Sequence, residues 1–188
     1  MIQIGLDQYL NAKTHVSGYG FYSPGDQKQY QDLVILMEAE KIADPETPHA
    51  TVYFTAAYWR KANQIHRWFV QNVQQGNDDC GTYYVGREQL MTLRNLCQKV
   101  LDSTRLVPGQ VHAGTQFTQE GMEEMYEEGE VLDVPEIAKK LLPTQGGFFF
   151  GSTDYDQWYW QELEDTVKQL DRALQAPDGW FFEYTASW

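Results

Sequence analysis

The sequence predicts an α+β fold of two layers, with helices packed on one face of a mostly antiparallel sheet. Three observations carry this. Segments with the two-residue alternation of strands, such as "TVYFTAA" and the closing "GWFFEYTASW", are mixed with segments of helical period. No internal repeat is visible. The chain has 188 residues, 42% apolar and 14% aromatic, enough for one substantial core in a single domain spanning 1–188.

Each element has its own signature. "IQIGLDQYLNAK" contains a short strand ending near Lys13, and the Gly-rich "VSGYGFYSPG" connects it to a helix. Ser23 caps that helix, Pro24 fits its first position and Asp26 follows three residues after the cap. Tyr30, Leu33, Val34 and Met37 share one of its faces, and "DPETPH" ends it. Thr51 to Ala57 reads as a strand, followed by a helix over residues 58–75 that stops at Gly76. "NDDCGTYYV" is a turn and a short strand. "REQLMTLRNLCQKVL" is a helix with Leu90, Leu93, Cys97, Val100 and Leu101 on one side. Residues 104–131 turn Gly-rich and then acidic, and read as an insertion or mobile excursion from the domain. "VPEIAKKLLP" is a short helix, "GGFFFGS" a buried strand or a sharp strand-to-helix junction, and Ser152 or Thr153 caps a long helix near 154–175. The closing segment is a terminal strand.

Composition narrows function. Acids outnumber bases by 27 to 14, a formal net charge of −13. A general nucleic-acid binder needs a basic surface to displace counterions, so direct nucleic-acid binding is not expected. A basic protein surface is a permitted partner. Two cysteines imply no disulfide framework. "MIQIGLDQYL" has neither a basic patch nor a long apolar run, and no segment reaches a membrane span of ~20 apolar residues. A cytoplasmic protein without membrane association is therefore expected. The sequence leaves self-association open.

The most informative stretch is "AAYWRKANQIHRWF". Read as a strand end and a helix start, it puts Tyr58, Ala62, Ile65, Phe69 and Val73 on a core stripe, with Trp59, Asn63 and His66 along its border. Arg60 and Lys61 then fall in the first helical turn. That is the wrong end of the dipole for cations, at a cost of ~0.3–1 kcal/mol each. An anion bound there would offset the cost, with Arg60 gripping a phosphate, Lys61 beside it and Trp59 stacking a base. Trp59, Arg60, Lys61, Asn63 and His66 are thus the candidate ligand-binding residues. The plainer alternative pairs both cations with nearby acids and leaves His66 satisfied by Asn63 or water.

Other constellations are weaker. In the last helix, Tyr159, Leu163, Val167, Leu170 and Leu174 form a core stripe. Trp158 points the other way, on the side of Gln161, Glu162 and Asp165, so Tyr155 and Trp158 mark a candidate contact surface unless residues 104–131 fold over it. Cys80, with His66 and Asp79, has the residue types of a nucleophile, base and orienter, but nothing in the spacing demands that role, and "NDDCG" after a helix end at Gly76 reads first as turn chemistry. Cys97 reads as a buried thiol. His15, His49, His66 and His112 are scattered without ligand spacing, and the glutamates from Glu120 to Glu130 read as a solvated acidic face. No metal, cofactor or catalytic residue is assigned, and there is no Walker loop, nucleophile elbow or dinucleotide fingerprint.

Taken together, "GLDQYLNAK", "YWRKANQIHRWFVQNVQ", "DDCGTYYV", "LLPTQGGFFFGSTDYDQWYW" and "GWFFEYTASW" resemble a family of small proteins encoded by tailed bacteriophages and prophages. The resemblance covers most of the chain apart from residues 104–131. The family has no established catalytic residues to carry over. It implies a phage accessory protein acting in the host cytoplasm, a class that often counters host defence. Three functions then compete: sequestration of an anionic, nucleotide-like ligand of host immunity; inhibition of a host nuclease or defence complex by an acidic, nucleic-acid-like surface; and hydrolysis by His66 with Asp79 or Cys80.

Overall fold

Arg60 is in a strand, and this revises the reading of the central stretch. A computed structural model describes residues 5–21, 23–118, 121–147 and 149–188. Residues 2–4, at the head of the segment that contains the first strand, lie outside them, as do Glu120 and Phe148. The elements are β1 (Asp7–Ser17), α1 (Pro24–Leu36), β2 (His49–Arg60), α2 (Asn63–Asn72), β3 (Thr82–Val85), α3 (Arg87–Ser103), β4 (Leu106–Thr118), β5 (Gly121–Leu132), α4 (Pro135–Leu141), α5 (Gln157–Ala173) and β6 (Phe181–Ser187).

Four strands form an antiparallel sheet in the order β2-β1-β6-β3. Leu10, Ala12, Ala57, Trp59, Val85, Phe182 and Tyr184 are buried on the face that carries the helices. The other face bears Tyr9, Tyr58 and Tyr84, all exposed, together with the Arg60–Asp7 and Lys13–Glu183 ion pairs. The α+β class and the one-sided helical layer are therefore as the sequence indicates. The α1 cap also matches: Ser23 accepts from the Asp26 amide, with Pro24 at the first turn. So does the α3 stripe of Leu90, Leu93, Cys97 and Val100.

Five boundaries differ from expectation, each for a physical reason. β1 runs to Ser17, past Lys13, because β2 pairs with it along its whole length, from Asp7↔Arg60 to Ser17↔His49. The same ladder extends β2 through Tyr58, Trp59 and Arg60, and α2 starts only at Asn63. Hydrogen bonding to β1 outweighs the helical period that Tyr58 shares with Ala62 and Ile65. Residues 106–118 and 121–132 form the antiparallel strands β4 and β5, which pack largely on each other and meet the body at their base, through the Val131–Asp156 bridge, the Leu132 amide on the Tyr155 carbonyl at 2.9 Å and the burial of Leu132 in the core. Residues 147 and 149–151 lie in a loop outside the sheet. Lastly, Asp156 caps α5 in place of Ser152 or Thr153, accepting from the Trp158 and Tyr159 amides at 2.9 and 3.1 Å. Asp154 consequently precedes the helix.

Two substitutions check this framework by urea denaturation. Trp59→Ala, which empties a core site, should cost about 3–5 kcal/mol. Asp156→Ala, which removes the cap, should cost about 1 kcal/mol. If Trp59 lay on a helix border facing solvent, its replacement would cost far less.

Candidate functional site

β2 ends in a turn that shapes a cleft. Lys61 adopts φ 61°, the left-handed region that costs a non-glycine residue ~1–2 kcal/mol. Its amide donates to the Leu6 carbonyl at 2.8 Å, which fixes the turn. Gly151 lies directly against it: a Cβ there would sit 3.1 Å from Lys61 Cβ and 3.3 Å from its carbonyl oxygen. Gly151 also has φ 89°, a conformation that strains any L side chain, so glycine is favoured there first by its backbone and then by the close approach of Lys61. The loop of residues 144–147 and 149–156 is pinned to α2 by Asn63. The Asn63 Nδ2 donates to the Phe150 and Ser152 carbonyls at 3.1 and 2.7 Å, and its Oδ1 accepts from the Gln145 amide at 2.9 Å.

Between this loop, the β2–α2 turn and the start of α5 lies a cleft of about 340 Å³. Arg60, Lys61, Gln64, Ser152, Asp154, Trp158 and Glu162 line it. The structure thus joins two regions that the sequence left separate, the Arg60–Lys61 pair and Trp158. Trp158 remains 63% exposed, so the hairpin does not cover it. Arg60 donates to both oxygens of Asp7, at 3.2 and 3.4 Å, an ion pair that partly neutralises it. Lys61 Nζ has no hydrogen bond or ion pair among the described residues.

The remaining candidates have other roles. Trp59 is buried, with Nε1 donating to Thr166 Oγ1 at 2.9 Å and its ring against Phe69, so it has no free face for a base. Asn63 is buried and fully engaged by the loop. His66 is also buried, with Nδ1 2.9 Å from the Tyr184 hydroxyl and Nε2 2.9 Å from Asp78 Oδ1. Burial pushes its pKa down, while Asp78 pulls it back up. Its partners are therefore Tyr184 and Asp78, not Asn63, Asp79 or water. Asp79 instead accepts from the Gly81 amide and the Tyr83 hydroxyl, closing the turn that contains the exposed Cys80. This geometry gives the hydrolase reading no assembled triad. Tyr155 is half-buried, its ring on Tyr159 and its hydroxyl accepting from the Thr144 amide at 3.2 Å, so it anchors the loop more than it offers a contact surface. Among the described residues, no three His, Cys, Asp or Glu side chains gather as a metal site.

Glu162 escaped the sequence reading as a site residue, although it lies one helical turn after Trp158. Burial raises its pKa from 4.5 to about 7, against the Gln64 Nε2 that donates to it at 2.7 Å. Burial also raises Asp156, opposed by its two backbone donors. Among the described residues, the cleft therefore presents one free cation and a paired guanidinium, with the carboxyl groups of Asp154, Asp156 and Glu162 across from them and an indole at the rim. That set can hold an anionic group, accept hydrogen bonds from a polar edge and stack a ring.

No protein-family model, no curated protein and no solved structure matches this chain.

The raised Glu162 carboxyl makes a signed prediction. Between about pH 4.5 and 7 the folded protein holds a proton there that the unfolded chain has released. Its contribution to stability therefore falls as pH rises through that window. The difference in melting temperature between the wild type and Glu162→Gln, in which His66 and Asp156 cancel, should move in favour of Glu162→Gln as pH rises. A difference that is flat with pH would contradict a half-buried Glu162 whose carboxyl is raised by desolvation.

Proposed function

We propose that the protein binds and sequesters a small anionic ligand bearing a ring, of nucleotide-like chemistry, in the Lys61–Trp158 cleft. The observation that carries this reading is the meeting of Lys61, unpaired among the described residues, with Arg60 and an exposed indole at one concavity. Lys61 and Arg60 receive the anionic group, Trp158 stacks the ring, and Glu162 and Asp154 accept from its polar edge. Trp158 takes the stacking role assigned to Trp59 from sequence. The resemblance to proteins of tailed phages supports removal of a host-immunity ligand, in the host cytoplasm, as the biological setting.

One observation favours a second reading. Glu123, Glu124, Glu127 and Glu128 are exposed on both faces of β5, in a hairpin that stands largely on its own. Such a ribbon suits inhibition of a host nuclease or defence complex through its basic surface. Shortening the hairpin separates the two readings: it should leave ligand binding intact if the cleft is the site, and abolish function if the ribbon is.

Thermal-shift measurements with pyrophosphate, nucleoside monophosphates and dinucleotides test the cleft. A ligand at 100 times its Kd should stabilise the protein by ~2.7 kcal/mol. Lys61→Gly should remove that shift while raising the stability of the free protein by about 1 kcal/mol, because it relieves the left-handed turn. Trp158→Ala should weaken binding with little change in the free protein. Arg60→Gln should lower stability as well, through the lost Asp7 pair. Full ligand response in Lys61→Gly and Trp158→Ala would remove the cleft from consideration.

A further inference from the structure

β2 is an edge strand of 12 residues, and only part of its outer side is covered. Near its C-terminal end, Gln169 Oε1 accepts from the Tyr58 amide at 2.8 Å and Arg172 donates to the Ala56 carbonyl at 2.9 Å. Among the described residues, no hydrogen bond from outside the β1–β2 ladder reaches the backbone of residues 50–55. That segment, "ATVYFT", has no charge, proline or bulge, the devices by which exposed edges usually avoid pairing. Beside it runs an apolar groove of about 700 Å³, lined by α1, the loop after it and side chains from both faces of β2.

The groove is unusually exposed. Leu36, Met37, Ile42, Tyr53 and Phe54 are 77%, 67%, 86%, 62% and 63% exposed. At about 200 Å² per side chain they present on the order of 700 Å² of largely apolar surface. The largest patch on a typical monomer is ~300–600 Å², and one side of a standard stable interface is about 800 Å². An antiparallel edge is also self-complementary: a two-fold axis pairs each donor of the strand with the matching acceptor of its copy.

We infer that this edge is the contact between two copies of the chain, with residues 50–55 of β2 paired antiparallel to their own copy and each α1 face covering the other. The pairing continues the sheet across the two-fold axis. Val52 lies about 25 Å along the strand from Arg60, so the contact leaves the cleft open. Charge sets the salt dependence. The groove and its neighbour are lined by Glu40 and Asp44 with no lysine or arginine, and each copy carries −13. Self-association must therefore strengthen as salt screens the repulsion, whereas capture of a basic partner would weaken.

Sedimentation velocity of the full chain, across micromolar concentrations at low and high salt, tests this. A monomer–dimer equilibrium that tightens with salt is expected. Ile42→Glu and Phe54→Glu should each raise the dimer Kd by roughly tenfold or more. Ile42 is 86% exposed in the single copy, so the melting temperature of Ile42→Glu at monomeric concentrations should be unchanged, whereas Phe54→Glu, which also loses the ring contact with Trp180, should lower it slightly. A wild type that stays monomeric in every condition, a dimer that survives both substitutions, or association that weakens with salt would each overturn the proposal.

Discussion

The loop that walls the cleft is held above all by one buried carboxamide. Asn63 engages both of its polar ends on Gln145, Phe150 and Ser152, taking two carbonyls and one amide, while the Leu6 amide donates to the Phe149 carbonyl and Gln145 reaches Asp78, both at 3.2 Å. A buried polar group left unpaired costs ~1–3 kcal/mol, so each of the Asn63 contacts is obligatory once Asn63 is enclosed. The position of Asn63 is itself set by the turn before it. Lys61 binds the Leu6 carbonyl and lies under Gly151, so the end of β2, the start of α2 and the loop are fixed relative to each other by a few short contacts.

This arrangement also accounts for the cations. Arg60 belongs to a sheet and answers Asp7 across the β1–β2 ladder, so it does not oppose a helix dipole. Lys61 stands in a strained backbone conformation without a carboxylate partner among the described residues. A strained residue at a concave site, with a free charge, is a pattern associated with ligand contact. Glu162 supports the same reading from the opposite wall, because a carboxyl titrating near neutrality in a cleft is a common mark of a functional site.

Much of this was legible in the sequence, and the exceptions are instructive. The α1 cap and the apolar stripes of α3 and α5 depend on local spacing, which a sequence displays. The β2–α2 boundary does not, because Tyr58, Ala62, Ile65 and Phe69 fit a helix while Ala57 and Trp59 fit the buried face of a strand; only the ladder to β1 decides. The hairpin was hidden because both faces of β5 carry glutamates, so it lacks the one-sided alternation of a half-buried strand. The "FFF" segment reads as a strand because it is apolar, but Phe149 and Phe150 lie in a loop, and the Phe150 carbonyl is held by Asn63, more than 80 positions away. For the site, sequence singled out Arg60, Lys61 and Trp158 but could not show that they meet, and it assigned Trp59 a role that burial denies it.

The central claim is that this junction is a ligand site and not only a structural corner. Amide and indole chemical shifts, followed by NMR during titration with pyrophosphate and then with nucleoside monophosphates, test it most directly. Perturbations should concentrate at Lys61, Gly151, Ser152 and the Trp158 indole, with the nucleotide adding the indole response that pyrophosphate lacks. Perturbations scattered over the surface, or centred on β5 or on the α1–β2 edge with the Lys61 and Trp158 signals unmoved, would contradict it.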